Sequence, residues 1–389
     1  MQKLIIKKGR EKPILAHHHW IFSGAIKKMP QVEPGELVVV ESEAQERLGI
    51  AYMNPKGSLA ARMIAFGEQS YEKALSIAIE DAYALRKNLF SDSKTDSFRV
   101  INGEGDRIPG LIVDLYKDHL VIQVGTQGIE KLKPFLIEEL KKRIPSIRCI
   151  YEKSEMSTRS QEGLSSIEKV INGELNKELI IKENGHLFKV DIVEGQKTGF
   201  FLDQRNMREL VGQLSYQKKV LNCFSYSGGF SVYALKGQAK SVRSVDISKK
   251  AIDLAHGNIL LNHLDASLHE GIASDVFSFL KEDALDEDLV ILDPPAFAKK
   301  KEDVIQACRG YKEINRLAMK KMKKGSLLLT ASCSYHVDET LFQQVLFQAA
   351  LDANRNIKIL TKHHQAFDHP VNLFHKEGDY LKSFLLQID

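Results

Sequence analysis

Val220-Leu-Asn-Cys-Phe-Ser-Tyr-Ser-Gly-Gly-Phe-Ser-Val-Tyr-Ala-Leu235 is the stretch whose reading decides the fold. Lys219 to Cys223 is short and apolar between polar flanks, the pattern of a buried parallel strand. Gly228-Gly229 interrupts it ahead of an apolar-periodic helix. Strand, glycine turn, helix is an arrangement that cradles nucleotides, because bare backbone lets a ligand come close and the helix start offers unpaired N–H groups. About twenty residues on, Ser241-Val-Arg-Ser-Val245 reads as a second strand ending in Asp246, where a doubly wound fold places an acid for ribose hydroxyls. An ordinary α/β turn followed by an unrelated acid would have the same local pattern.

The turn does not spell Gly-x-Gly-x-x-Gly. Its glycines are adjacent and Phe224, Tyr226 and Phe230 surround them, which serves a pyrophosphate poorly and a phosphate-free ribose and adenine better. S-adenosyl-L-methionine is the ligand of that description. From Val220 onward strand and helix alternate, so a parallel sheet with helices on both faces is expected. Asp288 to Leu292 is its fourth strand and Asp293-Pro-Pro-Ala-Phe297 follows at the carboxyl end, where ligands of open α/β sheets sit. The prolines stiffen that loop and remove two donors, leaving carbonyls to accept from a base. Gly325 to Ala331 is the fifth strand, and Ser332-Cys333-Ser334 stands at its end.

The segments Gln196 to Arg205, Val220 to Gly229, Asp293 to Phe297 and Ser332 to Ser334 together resemble class I methyltransferases, and more closely the 23S ribosomal RNA methyltransferase I family with an N-terminal PUA domain. The resemblance extends over nearly the whole chain. It implies a PUA-like β-barrel over residues 1–70, a linker helix and small α+β central domain over 71–177, and a Rossmann-like catalytic domain over 178–389. It also implies cofactor contacts from Lys197, Phe201, Gln204 and Arg205, from Phe224, Ser225, Tyr226 and Gly228, from Asp246 and Ile247, and from Asp275 and Asp293. Asp275 also suits a helix N-cap, and Lys197 and Arg205 suit either a methionine carboxylate or an RNA phosphate.

Carbon 5 of cytosine is not nucleophilic until a thiolate adds to carbon 6, and the loop beside Asp293 is where such a thiol should stand. Cys333 is therefore the expected nucleophile, with Asp293 holding the base at its N3 edge. N-methylation of guanine or adenine, which needs no thiol, is the second enzymatic reading, and a non-catalytic RNA-binding assembly factor the third. Cys149, Cys223 and Cys308 read as packing residues.

Residues 1–70 alternate short apolar strands with turns at Pro34-Gly35 and Asn54 to Gly57. Lys8, Arg10 and Lys12 make the first turn basic, which suits a phosphate backbone as well as plain solvation. Gly9-Arg-Glu-Lys12 and His19-Trp-Ile-Phe-Ser-Gly-Ala25 resemble the RNA-holding entry of the family's PUA domain, so Trp20, Ser23 and Gly24 join the expected RNA contacts. Family members carry His-Pro-Trp where this chain has His19-Trp20. Tyr71 to Phe90 has helical apolar spacing, and Asn184-Gly185 between apolar runs signals a hairpin.

At 389 residues with 43% hydrophobic and 27% charged content, the chain reads as two or three globular domains. It has no apolar run long enough for a membrane span and no signal-peptide pattern, so a cytoplasmic location without membrane partners is expected. Four scattered cysteines fit neither a disulfide framework nor zinc, and no metal is assigned to His17-His18-His19. The net charge of +4 permits nucleic acid without requiring it, which leaves large-subunit ribosomal RNA as the implied partner and a homodimer open.

Overall fold

The computed structural model describes residues 1–176, 178–298 and 300–389, and divides the chain into two compact units, each assembled from three separate segments. The first comprises Met1–Leu179, Val190–Leu202 and Phe367–Gly378. It holds both the small β domain and the α+β segment that the sequence separates at residue 70. The second comprises Ile180–Lys189, Asp203–Ala366 and Asp379–Asp389.

In the first unit a six-stranded sheet runs in the order Trp20–Phe22, Leu59–Phe66, Arg47–Met53, Leu37–Glu41, Gln2–Ile6, Ile26–Lys28. Alternate residues of these strands, such as Leu4, Ile6, Val38 and Val40, face one core. A five-stranded sheet from Ser97–Asn102 to Ile167–Gly173 packs a second core with the helices Tyr71–Leu89 and Gln127–Arg143. Ser70 and Thr126 cap those helices with their side-chain oxygens, which fixes both starts. Two of the six strands, Trp20–Phe22 and Ile26–Lys28, have only three residues each.

The second unit is built on a seven-stranded sheet. Its order is His269–Ala273, Ser241–Asp246, Lys219–Cys223, Leu289–Leu292, Leu327–Ser332, Lys382–Ile388, Ile357–His363. The first five strands are parallel, and Lys382–Ile388 enters antiparallel between Leu327–Ser332 and Ile357–His363. Strand order reverses between Lys219–Cys223 and its neighbours, so the crevice beyond Cys223 and Leu292 is where this topology opens a ligand site. The strands flanking that point are buried on both faces and correspondingly apolar. The hairpin forms at Asn184 and Gly185, with φ of 49° and 83°, as a type I′ turn demands.

Candidate active site

The turn after Lys219–Cys223 is held in an unusual backbone. Phe224, Tyr226 and Gly228 have φ of 59°, 43° and 72°. A Cβ on Gly228 would lie 2.6 Å from the Ala255 Cβ, so close packing against the Lys249–Leu261 helix requires glycine there. The coil is tied to the next strand twice. The Ser225 N–H donates to the Val245 carbonyl at 3.1 Å, and the Tyr226 N–H donates to Asp246 Oδ2 at 2.9 Å.

Asp246 Oδ1 accepts from the Ser248 N–H at 2.9 Å. Each carboxylate oxygen thus meets one backbone donor and keeps acceptor capacity for a ligand hydroxyl. Ile247 beside it is 76% exposed, an apolar ledge at a strand end, while the buried Ser225 Oγ has no hydrogen-bond partner among the described residues. An acceptor for a ribose, an apolar ledge for adenine and an unsatisfied hydroxyl in one turn fit S-adenosylmethionine. Asp275 caps the Val276–Glu282 helix through Ser278 N–H at 2.9 Å and is exposed at the neighbouring strand end.

The second half of the site is two loops fastened together. Half-buried Asp293 follows Leu289–Leu292 and accepts from Gln204 Nε2 at 2.9 Å. Gln204 is buried, so it fixes one carboxylate oxygen in place. Half-buried Cys333 follows Leu327–Ser332. Its neighbour Ser334 accepts from the Ala298 N–H at 3.1 Å and bonds the Tyr311 hydroxyl at 2.9 Å. The Ser-Cys-Ser turn is thereby bolted to the Asp-Pro-Pro loop. Cys149 and Cys223 are fully buried, and burial pushes their thiols up, most of all Cys223; Cys308 is raised for the same reason.

Lys197 and Phe201 belong to the first unit, where the exposed Lys197 ammonium lies 4.5 Å from the Phe201 ring centre. Arg205 is buried, with Nε 3.3 Å from Glu183 Oε2. Glu183 is wholly buried and also takes two hydrogen bonds from Arg208, both at 2.7 Å. The Nε edge of the Arg205 guanidinium thus faces a buried charge cluster. The helix Arg205–Leu214 starts after Gln204 without a side-chain cap, and Asp203 Oδ2 accepts from the Tyr380 hydroxyl at 2.6 Å.

In the first unit Arg10, Trp20 and Gly24 line one groove of about 450 Å³. Lys8, Lys12 and Ser23 are exposed, and the Trp20 indole donates to Glu104 at 2.8 Å. His18 also gathers with His375 and Glu377, a set that resembles a metal triad. Its donor chemistry says otherwise. The Trp20 N–H donates to His18 Nδ1 at 3.2 Å, and His18 Nε2 lies 3.6 Å from Glu377 Oε2. The two imidazoles stack with centroids 4.4 Å apart and planes 13° from parallel, so their lone pairs do not meet at one point.

Residues 157–349 match the model of an S-adenosylmethionine-dependent methyltransferase domain, and residues 4–66 match a PUA-like domain. Ribosomal RNA large subunit methyltransferase I of Vibrio vulnificus YJ016 is 40% identical over 395 residues, spanning 99% of each chain. Its namesake from Aliivibrio fischeri ES114 is 40% identical over 392 residues, again at 99% of each. The chain belongs to this family. Among solved structures, a candidate methyltransferase in complex with S-adenosylhomocysteine superposes with a TM-score of 0.86 at 25% identity over the full length of both chains. The methyltransferase therefore carries the Phe224–Gly228 turn, Asp246 and the Asp293 and Cys333 loops on a sheet of the class I type. No helix among its described residues is long and apolar enough to cross a membrane.

Sequence reading missed Glu183, Arg208, Tyr311 and Lys382. None lies in a recognisable motif; a polar residue at an apolar position of a buried strand, as in Leu179-Ile-Ile-Lys-Glu183, was the available signal.

Proposed function

We propose that this S-adenosylmethionine-dependent methyltransferase forms 5-methylcytidine in large-subunit ribosomal RNA through a covalent adduct with Cys333. The observation that supports it is the hydrogen bond between the two loops, which fastens the turn carrying half-buried Cys333 to the loop that begins at Asp293, both at the carboxyl ends of adjacent parallel strands. The family name borne by the relatives supports ribosomal RNA as substrate.

The cofactor, held by the Phe224–Gly228 turn, Asp246 and Asp275, supplies an electrophilic methyl group. The residues of the chain do the rest. Cys333 as thiolate adds to carbon 6 of cytosine, which pushes electron density to carbon 5 and makes it the nucleophile. Asp293, steadied by Gln204, meets the N3 edge and stabilises the protonated ring of the adduct. Once carbon 5 carries the methyl group, loss of its proton to water returns the electron pair, breaks the sulfur–carbon bond with release of the Cys333 thiolate and restores aromaticity. The exposed basic turn with Lys8, Arg10 and Lys12 and the groove containing Trp20 hold RNA in this reading, and a cytoplasmic location follows from the substrate.

Cys333→Ala tests the scheme. Methylation of large-subunit RNA should fall by at least about 10⁴-fold while cofactor affinity stays within threefold. Retained turnover would favour N-methylation of a purine, which needs no thiol.

A further inference from the structure

Lys382 is among the least exposed lysines of the chain, at 4%. It opens the antiparallel strand Lys382–Ile388, directly opposite Ser332 in the register. Its ammonium donates to the Ser334 carbonyl at 2.7 Å, which places it under the turn that carries Cys333. Among the described residues no carboxylate comes within ion-pair distance of it. A buried ammonium satisfied by a single carbonyl is expensive unless an anion stands near. The half-exposed Cys333 sulfur is the group at hand that becomes an anion.

We propose that Lys382 is the positioning residue of the nucleophile, holding Cys333 as a thiolate in the free protein. The thiol proton goes to solvent, Lys382 keeps its own proton, and the sulfur lone pair is left ready to bond to carbon. When the sulfur–carbon bond later breaks, the returning electron pair meets the same ammonium. Burial lowers the Lys382 pKa to about 8, with the charge of Cys333 opposing that fall, so the amine is still mostly protonated at neutral pH. The other ionisable groups facing the pair are Asp379, Asp338 at the start of the Glu339–Asp352 helix, and the Tyr311 hydroxyl from the Val304–Lys321 helix, itself raised mainly by burial. The part this plays in turnover rests on Cys333 being the nucleophile, whereas the charge coupling does not.

The test is the rate of iodoacetamide alkylation of Cys333 against pH, read peptide by peptide by mass spectrometry on the full-length protein without RNA. The wild-type thiol should titrate at least about one unit below the ordinary cysteine value of about 8.5. Lys382→Met should slow alkylation at pH 6.5 by about tenfold or more, and Lys382→Arg should restore most of it. Cys308 in the same sample should not change. A wild-type Cys333 titrating at or above about 8.5 overturns the proposal even if Lys382→Met fails to fold, as does a folded Lys382→Met with an unmoved curve. Retained RNA methylation in Cys333→Ala beside a low Cys333 pKa would retire the nucleophile and leave the charge pair standing. A normal Cys333 pKa with an inactive Cys333→Ala would do the reverse.

Discussion

Removing the Glu183 carboxylate should be among the most damaging single changes in the second unit. Arg208 donates to Oε1 and Oε2 at 2.7 Å each, the Tyr233 hydroxyl donates to Oε1 at 3.0 Å, and Arg205 Nε lies 3.3 Å from Oε2. Both arginines are only 3% exposed. Breaking a buried pair from one side costs about 3–5 kcal/mol, because the remaining charge keeps its desolvation penalty without compensation. With a urea slope of about 3 kcal/mol/M, Glu183→Ala should lower the unfolding midpoint by about 1–1.7 M. Far-UV circular dichroism reads this. Fluorescence of Trp20, the chain's single tryptophan, lies in the first unit and reports on that unit locally. A midpoint shift under about 0.3 M would refute the reasoning, since the cluster would then carry under about 1 kcal/mol. Arg205→Met discriminates further: a structural arginine moves the urea curve and leaves cofactor affinity alone, and a ligand-binding one does the opposite.

Two further outcomes are expected. Asp246→Ala should weaken S-adenosylhomocysteine binding by about 100-fold in isothermal titration, from two charge-assisted hydroxyl bonds worth together about 3 kcal/mol; a loss under threefold would remove Asp246 from the ribose site. His19 is buried against the Met63 carbonyl at 2.8 Å, and burial lowers its pKa to about 4. The unfolded chain takes up that proton near pH 6.5, so the stabilising contribution is complete above pH 6.5 and lost as pH falls toward 4, by about 3 kcal/mol. The urea midpoint should therefore fall over that window in the wild type, and a folded His19→Leu with an equally steep fall would show the proton to be taken up elsewhere.

Much of the catalytic sheet was legible because its information is local. The apolar run at Lys219–Cys223 and the Asn184-Gly185 turn each announce themselves within a dozen residues. Local reading failed where a side chain's partner is remote in sequence. Asp203 has the chemistry of a helix cap, but Tyr380 takes its carboxylate. Arg208 stands in no motif, and its partner Glu183 comes from a preceding hairpin strand. Lys382 has no distinguishing neighbour at all, and only the antiparallel pairing brings it beneath Ser334. Trp20–Phe22 and Ile26–Lys28 are too short for any alternation to register.

The segment boundaries of the two units carry a practical consequence. The polypeptide passes from one to the other five times, at residues 179, 189, 202, 366 and 378. Neither unit is a contiguous piece of gene, so a fragment beginning at Ile180 would carry Val190–Leu202 and Phe367–Gly378 as orphans, stripped of the sheets they were made to cover. Limited proteolysis at a single junction would nick the molecule without parting it. Dissection by truncation, the usual route to isolating a catalytic half, would here report damage and mistake it for function.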